Sequence, residues 1–220
     1  GILFNDVLQK FQGLWVHMSG NHWVTEDADG TPVERTNENL PWIGNPWASG
    51  TFNDGDYDGN TPSMVNARKV REAMAIAIDR DLLGETILGG YGGPNYRIMN
   101  HHSPEWIDGN GDEDWFVPYD GDRARALLAE AGYADGFEFE LWCPLDVGND
   151  IEVCLAVAGM WKDELNLDAK VSTTVYTANR PKLVDRTFTS PWILPWGDNR
   201  KGAEGRAKGG AYPGCCRWPT

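Results

Sequence analysis

The stretch FEFELWCPLDVGNDIEVCLAVAGMWKDELNLDAKVSTTV, residues 137–175, decides the fold class. It begins with three apolar residues that alternate with two glutamates over residues 137–141, which predicts a strand buried on one side. Apolar residues then recur at helical spacing from Ile151 to Leu165, and residues 171–175 form a second alternating strand. A strand, a helix and a strand in this order predict a βαβ unit with a parallel strand pair, and hence an α/β fold.

Three more helices are predicted upstream of this unit. An amphipathic helix begins at Asn66, and a second short helix runs from Asp81 to Leu88 and stops at a pair of glycines. A third helix has Asp120 as its N-cap and ends at Gly132. Helices therefore both precede and connect the predicted strands.

The domain organisation follows from where these patterns begin and end. Residues 1–190 are expected to form one lobe, with residues 1–65 as a strand-and-loop entry segment and residues 66–186 as the α/β body. From Pro191 the composition shifts to Gly, Pro, Trp and charged residues without a period. Residues 191–220 are therefore expected to be a mobile tail that carries a ligand loop and returns through a hinge.

Composition excludes some classes of function. The chain has 220 residues, of which 41% are hydrophobic, enough for a substantial core. Its 33 acidic and 19 basic residues give a formal charge of -14, which repels nucleic acid. The sequence has no apolar run long enough for a membrane span and no signal-peptide pattern at its start. It is therefore expected to be soluble, and either cytoplasmic or cut from a longer precursor.

The four cysteines do not match a zinc-site spacing. Cys143 lies on the first predicted strand and Cys154 on the helix that follows it, so a disulfide and two buried free thiols are both open. The adjacent Cys215 and Cys216 have no interpretation from sequence.

No pattern of catalytic residues is recognisable. Asp54, Asp56 and Asp58 begin a motif like a calcium loop, but its twelfth position is Val65, so a solvated acidic turn is favoured. A second acidic string at residues 108–114 lacks the required glycine. We therefore expect no metal, no cofactor and no catalytic residue, and predict that the protein is not an enzyme.

Two long segments resemble a known family. The segment NARKVREAMAIAIDRDLLGETILGGYGGP, residues 66–94, and the segment VPYDGDRARALLAEAGYADGFEFEL, residues 117–141, are similar to the family 5 bacterial solute-binding proteins. Gly121 stands where that family usually has proline. The resemblance covers roughly residues 62–186, in the same order and at a similar distance.

The resemblance implies a fold and a role. The chain would be one lobe, the second, of a two-lobed type II-like periplasmic binding protein, with a mixed sheet and flanking helices. Such a receptor is periplasmic or extracellular, in some cases lipid-anchored, and it passes its ligand to an ABC permease. The N-terminal lobe would be a further partner that this chain lacks.

The ligand most expected from the resemblance is a short peptide. In peptide-binding members a Trp followed closely by an Asp meets the ligand, and Trp196 and Asp198 occupy the corresponding place, with a spacing one residue shorter. An exposed loop in which Asp198 only begins a turn is an equal alternative. Tyr91 and Tyr96, beside the glycines after the second helix, are further candidate ligand contacts. An oligosaccharide receptor and a calcium-dependent hydrolase fragment are alternative functions.

Overall fold

The computed structural model describes residues 13–18, 29–31, 40–51, 56, 58–90, 118–147, 151–184 and 187–196. Five α-helices and four strands lie in these ranges. The helices are α1 Pro62–Ile76, α2 Arg80–Thr86, α3 Gly121–Glu130, α4 Ile151–Leu165 and α5 Tyr176–Val184. The strands are β1 Gly13–His17, β2 Glu138–Trp142, β3 Asp168–Ser172 and β4 Trp192–Trp196.

The four strands form one mixed sheet. Their order is β1, β4, β2, β3, with β1 antiparallel to β4 and with β2 parallel to both β3 and β4. The segment β2, α4, β3 is the βαβ unit that the sequence predicted. The expected α/β class, with a mixed sheet and flanking helices, is therefore confirmed.

Helix α4 packs on β3 at one face of the sheet, and helices α1 and α3 pack together and share the same hydrophobic core. Phe139 and Leu141 of β2 point to this face and are buried with Trp161 of α4 and Ile193 of β4. Trp42, which precedes α1 by many residues, packs its ring against Phe139 at a centroid distance of 5.4 Å. The hydrophobic core thus includes a residue of the predicted entry segment.

Helix α1 begins earlier than its apolar pattern suggested. Thr61 accepts a hydrogen bond from the backbone N–H of Met64, and Pro62 occupies the first helical position, where its missing N–H costs nothing. Residues that cap a helix in this way are not part of its apolar repeat, so a search for that repeat does not find them. The expected start at Asn66 was therefore wrong by one turn, and the start of the α/β body lies inside the segment assigned as strand and loop.

Helices α2 and α3 agree closely with the sequence. Asp79 caps α2 and Asp120 caps α3, each through a carboxylate that accepts a backbone N–H. Gly89, Gly90 and Gly132 have positive φ, as expected of residues that follow a helix end.

Two expectations after α4 need correction. The second strand of the βαβ unit is β3, Asp168–Ser172, and not residues 171–175, because its pairing with β2 ends at Ser172. Residues 176–184 form α5, which was not predicted, since Pro181 lies inside it and interrupts any helical pattern.

The start of the predicted tail also differs from expectation. Residues 192–196 were expected to be loop, but they form β4, which lies between β1 and β2 in the sheet. Ile193 and Leu194 are buried, so β4 is part of the folded body. Strand β1 belongs to the predicted entry segment and pairs with β4 along its whole length. The rest of the tail lies outside the described residues.

None of the helices in the described ranges has the length and apolar character that crossing a bilayer requires.

Candidate functional site

The candidate site lies at the edge of the sheet where the parallel strands β2 and β3 end and β4 begins. Trp142 at the end of β2 is level with Ser172 of β3 on one side and with Trp192 of β4 on the other. The carboxyl ends of β2 and β3 therefore meet at one edge, and β4 runs on past it to Trp196. In open α/β sheets, ligands bind outside the carboxyl ends of the strands.

An aromatic cluster lies at this edge, and Trp142 is its centre. The indole of Trp142 is fully buried and its ring centroid lies 5.0 Å from Phe188, 5.4 Å from Trp192 and 5.9 Å from Tyr176. The rings of Trp142 and Tyr176 are nearly parallel, at 12°. His17 of β1 extends the cluster by stacking on Trp192 at 4.2 Å. We refer to these five residues as the aromatic cluster.

Hydrogen bonds fix the orientation of this cluster. The indole N–H of Trp142 donates to the backbone carbonyl of Thr174 at 2.6 Å, which ties the ring to the segment after β3. The carboxylate of Asp146, in the short 3-10 helix after β2, accepts the backbone N–H of Tyr176 at 2.8 Å. The first turn of α5 is therefore held against the loop that follows β2.

A disulfide reinforces the same edge. Cys143, directly after β2, is bonded to Cys154 in the first turns of α4, with their Cα atoms 6.5 Å apart. The backbone N–H of Cys143 also donates to the carbonyl of Ser172 at 2.7 Å. Of the two alternatives that the sequence left open for this cysteine pair, the structure contains the disulfide; Cys215 and Cys216 lie outside the described residues.

His17 is a member of the aromatic cluster whose pKa is strongly shifted. Burial lowers the pKa of the His17 imidazole to about 4, because the charged form would lose its hydration against the indole of Trp192. The ring is therefore neutral at physiological pH. Since the pKa of an unfolded histidine is near 6.5, the unfolded chain binds a proton at this residue before the folded chain does.

This shift predicts a dependence of stability on pH. The free energy of unfolding should fall as the pH drops from about 6.5 toward 4, by roughly 1–2 kcal/mol between pH 7.5 and pH 5 for this group. Urea titrations at the two pH values measure this loss. The His17→Phe variant keeps a stacked ring without a proton site and should lose correspondingly less. An equal loss in the parent and the variant would contradict the assignment.

The structure gives only part of the predicted ligand site. Trp196 is the last residue of β4, and its backbone is paired with Gly13 of β1. Asp198, Tyr91 and Tyr96 lie outside the described residues. Whether the four residues come together therefore stays a prediction.

The first acidic string has a structural role in the part that is described. The carboxylate of Asp58 accepts the backbone N–H of Asn60 at 2.8 Å, as in an Asx turn. Arg68 of α1 donates to the carbonyl of Gly59 and to the side chain of Asn60. Within the described ranges, no group of three or more His, Cys, Asp or Glu side chains is placed to hold a metal ion.

A separate concavity of about 340 Å³ lies beside the amino-terminal half of β2. Its walls include Leu40, Trp42 and Phe137, with Glu140 and Ser190 at one side. The carboxyl edge lies at the other end of β2, so this concavity is distinct from the aromatic cluster.

Sequence reasoning missed the aromatic cluster, although one signal was present. Glu138, Glu140 and Trp142 occupy alternate positions of β2, on the face opposite Phe139. A tryptophan that follows two glutamates on the same face of a strand indicates that other residues cover this face near the carboxyl end of β2. Its partners Tyr176 and Trp192 are the first residues of α5 and of β4, and they could not be assigned without the topology.

Comparison with known proteins identifies a matching family. The family described as bacterial extracellular solute-binding proteins, family 5 Middle, matches residues 31–203. The matched range contains all five helices and three of the four strands in the described part of the chain, β2, β3 and β4.

Curated relatives share a shorter segment. Heme-binding protein A of Haemophilus influenzae is 38% identical over 74 residues, which are 34% of this chain and 13% of that protein. Glutathione-binding protein GsiB of Salmonella typhimurium is 40% identical over 74 residues, 34% of this chain and 14% of that protein. The aligned segment thus spans about one seventh of the length of these relatives.

Solved structures with a similar arrangement include OppA of Burkholderia pseudomallei, with 23% identity and a TM-score of 0.49 over 66% of this chain and 29% of that chain. The murein tripeptide binding protein MppA of Escherichia coli has 22% identity and a TM-score of 0.45 over 64% of this chain and 27% of that chain.

Proposed function

Because the chain belongs to the bacterial extracellular solute-binding proteins of family 5, we propose that it captures a short peptide outside the cytoplasm for an ABC importer. In this proposal the chain forms the second lobe of a two-lobed, type II-like receptor that closes over its ligand. The lobe that precedes it in such a receptor and the membrane permease are its partners. The observation that carries the proposal is the family match over residues 31–203.

The geometry of the carboxyl edge supports a binding role. A rigid set of aromatic rings, a disulfide and a capped helix start are gathered at the edge where α/β sheets take ligands. The disulfide also fits an oxidising compartment, and hence a periplasmic or extracellular location. Preorganised sites of this kind lower the entropic cost of binding.

Trp196 and Asp198 are our proposed anchors for the peptide. Trp196 ends β4, beyond the level at which β4 pairs with β2, so the chain leaves the sheet on the carboxyl side of the parallel strands. A carboxylate at residue 198 in a closed cleft would accept a charge-assisted hydrogen bond from the amino terminus of a peptide. The indole of Trp196 would cover the adjoining apolar surface. Tyr91 and Tyr96 remain further candidates for ligand contact.

This anchor predicts a loss of affinity that depends on the ligand. In the complete receptor, Asp198→Asn should weaken the binding of trialanine, which has a free amino terminus, by about tenfold or more. The same substitution should change the affinity for N-acetyl-trialanine by less than about twofold, because that ligand has no ammonium group to pair. Isothermal titration calorimetry measures both constants.

Controls separate the anchor from folding effects. Asp58→Asn changes a carboxylate in a turn far along the chain and should leave both affinities unchanged. Equal binding of trialanine by the parent and by Asp198→Asn would show that residue 198 is not the anchor.

An oligosaccharide is a second candidate ligand, and the aromatic cluster is the observation that favours it. Sugar rings pack their apolar faces on flat indole and phenol rings such as those of Trp192 and Tyr176. A maltotriose titration alongside trialanine separates the two classes. Turnover of either ligand would instead indicate a hydrolase.

A further inference from the structure

The disulfide between Cys143 and Cys154 fixes one end of the segment that carries Asp146. Cys143 directly follows β2, and Cys154 lies in the first turns of α4. The carboxylate of Asp146 accepts the backbone N–H of Tyr176, the first residue of α5, at 2.8 Å. We refer to residues 143–147 as the Asp146 segment. The disulfide therefore restrains the segment that positions the start of α5.

Tyr176 connects the Asp146 segment to the aromatic cluster. Its ring stacks on that of Trp142 at a centroid distance of 5.9 Å. Trp142 is the residue before Cys143, and its indole N–H donates to the carbonyl of Thr174, two residues before Tyr176. The disulfide, the Asp146 carboxylate and the two stacked rings thus form one continuous set of contacts at the carboxyl edge.

Both sulfur atoms lie inside the hydrophobic core. Cys143 and Cys154 are fully buried, and Cys154 shares the buried face of α4 with Val157 and Trp161. An oxidant or a reductant cannot reach sulfur atoms that are covered in this way while α4 is packed on the sheet. The bond must therefore form while the chain folds, and it is shielded once folding is complete.

From this arrangement we infer that oxidation of Cys143 and Cys154 is what orders the carboxyl edge for binding, so that ligand capture is confined to the oxidised protein. The part that concerns the ligand rests on the proposed function. In a chain that folds with two thiols, Asp146 loses its fixed position and no longer holds Tyr176 on Trp142. Binding then carries the added entropic cost of ordering these residues. A chain kept in a reducing compartment would therefore hold peptides only weakly.

The bond forms by thiol–disulfide exchange with a disulfide-bearing oxidant. The thiolate of one cysteine attacks the disulfide of the oxidant, which gives a mixed disulfide and releases one oxidant thiol. The thiolate of the second cysteine then attacks the protein sulfur of the mixed disulfide and releases the other oxidant thiol. The two protein thiols lose two electrons and two protons, and the disulfide of the oxidant is reduced to two thiols.

The test measures the mobility of Tyr176 in the native complete receptor by NMR relaxation. In the oxidised parent, the order parameter of the Tyr176 amide should be about 0.85, the value of a rigid backbone. It should fall below about 0.6 in the Cys143→Ala and Cys154→Ala double variant, and also in parent refolded with tris(2-carboxyethyl)phosphine. Refolding with oxidised glutathione should restore the high value. The amide of Ala124 in α3 should stay rigid throughout.

Affinity for trialanine, measured by calorimetry, links this mobility to binding. The double variant and the reduced parent should bind about three- to tenfold more weakly than the oxidised parent. Asp146→Ala keeps the disulfide but removes the acceptor for Tyr176, so it should weaken binding to a similar degree. Asp146→Asn should stay within about twofold of the parent, because its amide oxygen can accept the same hydrogen bond.

A matched control separates order at the edge from general stability. Val157→Ala removes buried apolar atoms from the same face of α4 but leaves the disulfide intact, so Tyr176 should stay rigid and the affinity unchanged.

Three results would be decisive against these ideas. A Tyr176 amide as rigid in the double variant and the reduced parent as in the oxidised parent would overturn the inference. A mobile Tyr176 with full affinity for trialanine would overturn the link to ligand capture and leave the proposed function intact. Failure of the oxidised parent to bind trialanine would overturn the proposed function, whereas the order parameters would still decide whether oxidation orders the edge.

Discussion

Replacing Trp161 by alanine is expected to lower the free energy of unfolding by about 3–5 kcal/mol. The indole is fully buried in the middle of α4 and packs on Phe139 of β2 at a centroid distance of 5.7 Å. Its N–H donates at 2.8 Å to the carbonyl of Met74, in the last turn of α1. The substitution would therefore leave a large cavity and also remove the hydrogen-bond partner of a helix-end carbonyl.

The Trp161→Phe variant separates these two contributions. It retains most of the apolar volume but has no N–H for Met74, so its loss should be smaller, roughly 1–3 kcal/mol. Urea unfolding followed by circular dichroism measures both variants. Leu155→Ala, on the same helix but 54% exposed, is the matched control and should change stability by less than about 1 kcal/mol. If Trp161→Ala were no more destabilising than Leu155→Ala, α4 would not pack on the sheet in the way described.

The role of Trp161 shows what the sequence could and could not predict about the fold. The apolar repeat on α4 placed Trp161 on the buried face, and the bounds of α4 agree with it. The bond to Met74 joins residues that are 87 positions apart, and no local pattern encodes such a contact. Local sequence signals therefore predicted where the helix lies. Which residues pack against it could be learned only from the topology of the fold.

Strand β4 is the clearest case in which local signals failed. Its sequence WILPW has no alternation and contains a proline, both of which argue against a strand. The strand forms because β1 pairs with it along its whole length and β2 pairs with it at Trp192, and because Ile193 and Leu194 enter the core. Long-range burial outweighed the weak local propensity.

The candidate site was predictable only in outline. The family resemblance indicated the binding role and the importance of the segment around Trp196. The aromatic cluster at the carboxyl edge combines side chains from four segments, namely β1, β2, the start of α5, and β4 with the residues before it. These four segments are far apart in the sequence. Their side chains come together because of the strand order, which the spacing of residues in the sequence does not predict.

Removal of the Cys143–Cys154 disulfide is expected to lower the free energy of unfolding by about 3 kcal/mol, through the Cys143→Ala and Cys154→Ala double variant. The bond closes a short loop, with a sequence separation of 11, and cross-links the end of β2 to the start of α4. In the unfolded chain it removes the conformations in which these residues are far apart, and a loop of this length accounts for a stabilisation of about this size. The two alanines also remove buried sulfur atoms, which adds a smaller packing loss.

A reductant distinguishes the cross-link from the packing loss. Both cysteines are fully buried, so the reductant acts during unfolding, and urea titrations should be run with and without tris(2-carboxyethyl)phosphine. The parent should shift toward the double variant when reductant is present, and the double variant, which has lost this bond, should show no comparable shift. The difference that remains between them in reductant measures packing alone. A parent whose unfolding is the same with and without reductant would contradict a stabilising disulfide, because the end of β2 would then be held by its hydrogen bond to Ser172 and by the aromatic cluster without help from the bond.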